Sequence, residues 1–256
     1  MTAPARPRAR RWPWRVALVA VAALAVGAWF AGEYIARGIV ERTVRDQVQK
    51  QLALPADQQI DVNIPGQILP QLISGTLDQI TLSSRDVPLG QLTGDVVVRA
   101  SGVPIRGDGP ATDASASLTL DAAQVQALLA TVEDFPASTV TLAEPDIGIE
   151  TELRLFALTV PVGVGLTPSA TAGQLVLTPA TFTVAGAQIS AQALLDQFGA
   201  VGSTVIRDWD VCVAQYLPAG MTLSGVRVEG DHVVADVAID GGIIHDPALQ
   251  QKGTCA

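Results

Sequence analysis

Residues 16–32, VALVAVAALAVGAWFAG, run without a break into residues 33–52, EYIARGIVERTVRDQVQKQL, and the reading of this pair decides the fold. The first stretch carries no charge, follows Arg6, Arg8, Arg10, Arg11 and Arg15, and ends at Glu33. At about 1.5 Å per residue such a helix covers roughly 25 Å, the short end of what crosses a bilayer. It is a membrane segment or a signal sequence. The arginines in front of it keep the N-terminus on the cytoplasmic side in either case. The expected organisation is therefore a cytoplasmic Arg-rich tail over 1–15, an anchor or signal segment over 16–32, and an exported domain over 33–256. Ala25-Val26-Gly27-Ala28 has the small residues of a cleavage site, whereas the apolar run exceeds the usual core of about 7–15 residues of a signal peptide. Uncut, the chain is a single-pass membrane protein; cut, it is secreted.

The second stretch is amphipathic. Ile35, Ile39, Val40, Val44, Val48 and Leu52 recur at three-to-four spacing, while Arg37, Glu41, Arg42, Arg45, Asp46, Gln49 and Lys50 fill the other face. This predicts a helix that continues from the apolar segment, buries one stripe in the exported domain and stops before Pro55.

Charge narrows the partners. From Glu33 onward the chain holds all 25 acidic residues but only 11 of the 16 basic ones, a net charge of −14. Nucleic acid, whose phosphates require a basic face, is excluded as a partner. Electrostatic docking to anionic headgroups is equally unfavourable, so any lipid contact must be apolar. Cys212 and Cys255 are the only cysteines, and an even pair in an oxidising compartment is expected to form one disulfide. Closing that loop of about 43 residues stabilises by roughly 4 kcal/mol in the chain-entropy picture.

Beyond residue 59 the hydrophobic period switches to two. Ile60, Val62 and Ile64 alternate with Asp61 and Asn63, and further strands are expected at 76–84, 91–101, 114–120, 138–142, 147–164 with a break near Pro161, 174–177 and 181–184. Residues 65–75, PGQILPQLISG, are too short for a core helix and carry four large aliphatics. They suit a cavity mouth, a surface dipping into lipid, or a capping turn. Asp121 is placed to cap a helix over 121–134, and Ser190 a second one, AQALLDQF, with Ile189 and Leu194 as a hydrophobic staple. SLTLDAAQVQALL (117–129) and TFTVAGAQISAQALL (181–195) echo one another faintly, which hints at two similar strand-helix units. Residues 221–228 and 232–240 form a hairpin around Glu229-Gly230-Asp231, with Val233, Ala235, Val237 and Ile239 on one face and His232, Asp236 and Asp240 on the other.

Catalytic motifs do not emerge. There is no G-x-S-x-G, G-x-x-x-x-G-K-[ST], H-E-x-x-H or helix-opening G-x-G-x-x-G. His232 and His245 read as surface residues, and the acidic groups around Glu144–Glu152 and Asp208–Asp210 lack the spacing of a calcium loop. No metal, cofactor or catalytic residue is assigned, and the chain reads as a binding protein rather than an enzyme. Its strands, by contrast, are apolar on both faces in places such as Val96-Val97-Val98 and 153–164. The two long helical stretches can cover only part of that surface, and an aliphatic-lined cavity accounts for the surplus.

The strand-Pro-Gly segment VNIPGQILPQLISGTLDQITLSSRDV (62–87), the helix QISAQALL and the ending YLPAGMTLSGVRVEGDHVVADVAIDG (216–241) resemble the LmeA-like phospholipid-binding family of envelope proteins of high-GC Gram-positive bacteria. The resemblance implies lipid binding rather than catalysis, a link to assembly of envelope lipids and lipoglycans, and a tubular lipid-binding fold. In that fold a strongly curved antiparallel sheet wraps a long N-terminal helix, giving an α+β class. The expected ligand is a phospholipid or similar amphiphile in an aliphatic cavity, and the candidate acyl-chain contacts are Ile64, Ile68, Leu69, Leu72, Ile73, Leu128, Leu129, Leu194, Leu195 and Phe198. The alternative is a non-enzymatic envelope interaction module with a protein or glycan partner and no lipid cavity.

Overall fold

The apolar and amphipathic stretches form one uninterrupted helix, α1 (Trp12–Gln51), of 40 residues. The computed structural model describes residues 12–51, 54–55, 57–89, 92–107, 109–130, 139–155, 158–199 and 207–254. Along α1 the environment changes at residue 32. Residues 16–31 are exposed throughout, and this is a helix long and apolar enough to cross a membrane. Beyond it, Val40, Val44 and Val48 of the expected stripe pack into the domain together with Ala36, whereas Ile35 and Ile39 are exposed and Leu52 lies outside the described residues. The buried face is therefore turned toward Ala36 relative to the reading from periodicity.

The class is α+β with antiparallel sheets, and the strands divide between two of them. Sheet A runs in the order β1 (Ile60–Asn63), β2 (Thr76–Leu89), β3 (Leu92–Pro104), β4 (Asp113–Asp121), β12 (His232–Ile239), β11 (Met221–Glu229). Sheet B runs β10 (Trp209–Val211), β8 (Gln174–Val184), β7 (Leu158–Thr171), β6 (Asp146–Leu155), β5 (Thr139–Ala143), and β9 (Ala187–Ser190) shares the outer edge of β8 with β10. Each sheet is thus a four-stranded meander, β1–β4 or β5–β8, extended by later strands. β11 lies against β7 and joins the two.

Among the described residues three short α-helices, α2 (Ile68–Ser74), α3 (Ala122–Leu129) and α4 (Ala191–Phe198), and a single 3-10 turn (Ala214–Tyr216) accompany the strands. The caps of α3 and α4 are those the sequence predicts. Asp121 Oδ1 accepts from Gln124 N and Gln124 Oε1 from Asp121 N, both at 2.8 Å, while Ser190 Oγ accepts from Ala193 N at 3.1 Å. α3 ends at Leu129; the rest of the helix expected to reach 134 lies outside the described residues.

Several boundaries differ from the sequence reading. The 147–164 stretch is the antiparallel pair β6 and β7, parted between Leu155 and Leu158 rather than near Pro161, and β2 continues past residue 84 to Leu89. The 65–75 segment contains a true helix, α2, whose Ile68 is fully buried. Pro161 does not break the strand: it sits inside β7 opposite Glu152, just beyond the point where the β8 ladder starts at Val162 and Val184, so its missing N–H removes no sheet bond there. Residues 174–184 form one strand across Pro179 because the register steps from Gly165–Thr181 to Leu166–Pro179, leaving Ala180 as the extra residue of a bulge.

Two hydrophobic clusters hold the domain. The first gathers Ile60, Val62, Ile64, Ile68, Leu77 and Ile80 beneath α1. The second joins Leu120, Val125, Leu129, Val140, Ile147, Ile149, Leu166, Leu177, Val228 and Val233, and so fastens α3 and sheet B to the far strands of sheet A. Each fully buried aliphatic contributes about 1.5–3 kcal/mol of transfer free energy.

Candidate functional site

Sheet A has one aliphatic face, carried in register across its strands, and a second face that is largely polar but also holds Val97 and buried Val234, so its strands are apolar on both sides in places. Leu82, Val98, Ala116 and Val237 stand opposite one another on β2, β3, β4 and β12. The next row on the same side holds Ser84, Val96, Leu118, Ala235 and Val226, and a third holds Ile80, Ala100, Ala114, Ile239 and Met221. The intervening rows, such as Thr81, Arg99 and Ser115, face the other way. There Asp236 accepts from Ser117 Oγ at 2.6 Å and pairs with Arg227. The Ser117 hydroxyl first, and then the Arg227 guanidinium, hold the Asp236 carboxyl below the usual carboxylate range.

The aliphatic face is covered at both flanks and thinly between them. α1 lies over its β1–β2 flank, and the second cluster closes the other. Val96, Val98, Ala116, Ala235 and Val237 lie between the two, half-buried and packed into neither cluster. They form a shallow aliphatic strip across the middle of the sheet.

The strip leads to a groove. Between α1 and β1–β3 lies an open concavity of about 780 Å³, whose lining sets Arg45 and Arg85 against Asp61 and Asp95, with Gln49 and Gln58 between them and Ile60 and Val96 among its apolar contacts. The volume is in the ordinary ligand-site range of about 300–1,000 Å³. Its lining is largely polar, however, and it opens to solvent, so it differs from an enclosed aliphatic chamber. Val96 belongs to both strip and groove.

α1 is bolted to the domain immediately after its apolar half. The Glu33 carboxylate accepts the backbone N–H groups of Ile68 and, at 3.0 Å, of Leu69, capping α2 from 35 residues away. Those two amides hold the Glu33 carboxyl below its ordinary value, with Arg37 adding to the effect. Arg37 donates to Ile64 O at 2.6 Å and Gly66 O at 2.5 Å, and pairs with Glu33 at 3.3 Å. Buried Gln71 completes the junction by donating to Pro65 O and Gln67 O and accepting from Asp78 N, each at 3.0 Å.

The candidate contacts fall in three places. Ile64 and Ile68 are fully buried beneath α1, Leu69 and Leu72 are half-buried on α2, and Ile73 is 73% exposed. Leu129 is buried and Leu128 half-buried in the second cluster. Leu194 and Leu195 are half-buried on α4, at β8 and β9, while the Phe198 side chain lies outside the described residues. The strip residues escaped the candidate set because only the pairing register brings them together. The signal was present in Val233, Ala235, Val237 and Ile239 and in the alternation of 114–120. Cys255 also lies outside the described residues; Cys212 is half-buried. Among the described residues no three metal-ligating side chains gather.

A family model described as LmeA-like phospholipid-binding matches residues 31–238. Among curated proteins and among solved structures nothing matches.

Proposed function

Because the chain belongs to the LmeA-like phospholipid-binding family, we propose that it holds a phospholipid or similar amphiphile on sheet A, with the acyl chains along the aliphatic strip and the headgroup in the adjoining polar groove. The observation that carries this reading is the strip of Val96, Val98, Ala116, Ala235 and Val237, left half-buried between two clusters and continuous through Val96 with a groove of ligand size. Half-covered aliphatic surface gains roughly 25 cal/mol per Å² when a hydrocarbon tail replaces water. The groove supplies the Arg45 and Arg85 guanidiniums for phosphate or hydroxyl oxygens, beside the carboxylates of Asp61 and Asp95. Arg45 Nε and the Gln49 and Gln58 amides already donate to Ile60 O, Gln58 O, Ser84 Oγ and Arg85 O. Residues 16–32 act as the anchor, 1–15 as the cytoplasmic tail and 33–256 as the exported domain, which serves envelope lipid or lipoglycan assembly.

Strand direction gives this arrangement a geometric sense. Contacts climb α1 in order, from Arg37 at Ile64 to Arg45 at Ile60 and Gln49 at Gln58, so sheet A stands along the helix with α2 nearest the apolar segment and the groove farthest from it. A lipid lifted from the outer leaflet keeps its orientation, tails toward the bilayer and headgroup away. The half-buried candidates Leu69 and Leu72 and the exposed Ile73 lie where a tail leaves the membrane, whereas Ile64, Ile68 and Leu129 form the packed backing. A Cys212–Cys255 disulfide closes the C-terminal tail. Its support is the tail's return beside Cys212, where Gly253 N donates to Leu217 O at 2.9 Å, and the absence of a free cysteine among the described residues.

The test fills the strip. Full-length protein is purified in mild detergent and its co-purifying phospholipid quantified by mass spectrometry for wild type, Ala116→Phe and Val237→Phe. Near-stoichiometric lipid in wild type and at least a fivefold loss in both variants is expected. Equal lipid in all three, with unchanged melting, would remove the strip from the account.

A further inference from the structure

At the α2 end of sheet A the backbone forms a continuous rim. Ile105 N donates to Gly75 O at 3.0 Å, Ala111 N to Gly241 O at 3.1 Å, Asp240 N to Gly220 O at 2.7 Å, and Gly220 N to Leu249 O at 2.9 Å. The rim therefore comprises α2, the turn after β3, the loop after β12 and the approach to β11. Six large hydrophobic residues outside α1 are exposed among the described residues, and four of them stand on this rim: Ile73 at 73%, Tyr216 at 69%, Ile244 at 62% and Ile105 at 40%. Chance scatter puts single apolar residues anywhere on a surface; their collection along one edge marks a contact face.

The rim is fixed in height relative to the apolar segment. Glu33, the first residue past that segment, caps α2, and a Cβ on Gly32 would lie 3.5 Å from the Leu69 side chain. α2 thus sits within about one helical turn, roughly 5 Å, of the point where the apolar run ends. That run, at roughly 25 Å, is some 5 Å short of a hydrocarbon core of about 30 Å, a mismatch that flanking apolar surface relieves.

We propose that this rim is a membrane-docking edge, seated through Ile73, Ile105, Ile244 and Tyr216 in the headgroup layer of the leaflet from which α1 emerges. The inference rests on the reading of 16–32 as a membrane anchor. Docking is apolar rather than electrostatic. Asp240 and Asp246 on the rim are turned onto the backbone amides of Gly242 and Ala248 at 2.8 Å, and Arg106 donates to Leu72 O at 3.0 Å. The edge places the row next to the aliphatic strip, Ala100, Ala114 and Ile239, against the leaflet itself.

Depth-dependent quenching tests the edge. Full-length protein is reconstituted in neutral phosphatidylcholine vesicles bearing nitroxide on the upper acyl chain, with an environment-sensitive fluorescent amino acid at position 105, 244 or, as a far-end control, 231. Quenching at 105 and 244 at least fivefold stronger than at 231, and insensitive to salt, is expected. With the fluorophore at 216, the triple variant Ile73→Asp, Ile105→Asp, Ile244→Asp should lose its quenching yet resist alkaline carbonate extraction. Quenching at 105 and 244 equal to that at 231, or dependent on anionic lipid, overturns the docking edge. If co-purifying lipid persists in that case, the binding function stands and the edge alone falls; carbonate extraction of wild type would overturn the anchor and the edge together.

Discussion

The meanders β1–β4 and β5–β8 share a plan and differ in what covers them. Each is four antiparallel strands followed by an eight-residue helix with a side-chain cap, Asp121 on α3 or Ser190 on α4. The first has α1 laid along its aliphatic face, tied down by Glu33 and Arg37. No long helix accompanies the second among the described residues, and at its β8–β9 end Val184 and Ile189 are 48% and 40% exposed. Local pattern built two similar units. α1 made them unequal, because a single long helix lies along only one of them.

That inequality is broken most severely at the shared core. Leu166, fully buried in sheet B, belongs to the cluster that also holds Leu120, Val228 and Val233 of sheet A. Leu166→Ala is expected to cost about 2–5 kcal/mol in denaturant unfolding, as cavity-forming core substitutions do. Val184→Ala, on the uncovered end, should stay within about 0.5 kcal/mol. Equal losses at the two positions would mean that the exposed end is covered in solution.

The caps sharpen the comparison at a smaller scale. Asp121 and Gln124 satisfy each other's amides, whereas Ser190 provides one bond. Asp121→Ala should therefore cost about 1–2 kcal/mol and Ser190→Ala about 0.5–1 kcal/mol, read from thermal unfolding of full-length protein. A larger cost at Ser190 would reverse the ranking of the two units.

Acidification should produce the smallest change and confine it to sheet A. Glu33 and Asp236 both have folded pKa values below their unfolded ones. Their contribution is thus complete above the unfolded carboxylate pKa and is lost as pH falls through the lowered folded value. Hydrogen exchange measured from neutral down to acidic pH should show α2 and β12 loosening before β6 and β7. Glu33→Gln should abolish the α2 part of that response and Asp236→Asn the β12 part. Simultaneous loosening of both sheets would assign the acid sensitivity elsewhere.

Much of this architecture is legible in single stretches. The stripe from Ile35 to Val48 shows α1, the period of two through Val233–Ile239 shows β12, and Asp121 and Ser190 announce their helices because each cap is a contact three residues long. What is not legible depends on distant partners. α2 is helical because Glu33 and Gly75 finish its ends, and Glu33 lies 35 residues from Ile68. Pro161 reads as a break and the strands expected at 174–177 and 181–184 leave a gap that holds Pro179, yet each proline falls where the neighbouring ladder needs no N–H or has an extra residue. The site divides in the same way. Local apolar density picked out Ile68, Leu69, Leu128 and Leu194, whereas Val98, Ala116 and Val237 become one surface only when two pairings, β3–β4 and β4–β12, are in register.

The central claim, that a lipid tail lies on sheet A between the two clusters, is tested most directly by photocrosslinking. Full-length protein in membranes is irradiated with a phospholipid carrying a diazirine near the end of its acyl chain, and the labelled peptides are sequenced. The account predicts adducts on β3, β4 and β12, at and around Val98, Ala116 and Val237, in addition to those on 16–32 from lipid surrounding the anchor. Adducts confined to 16–32 would contradict it.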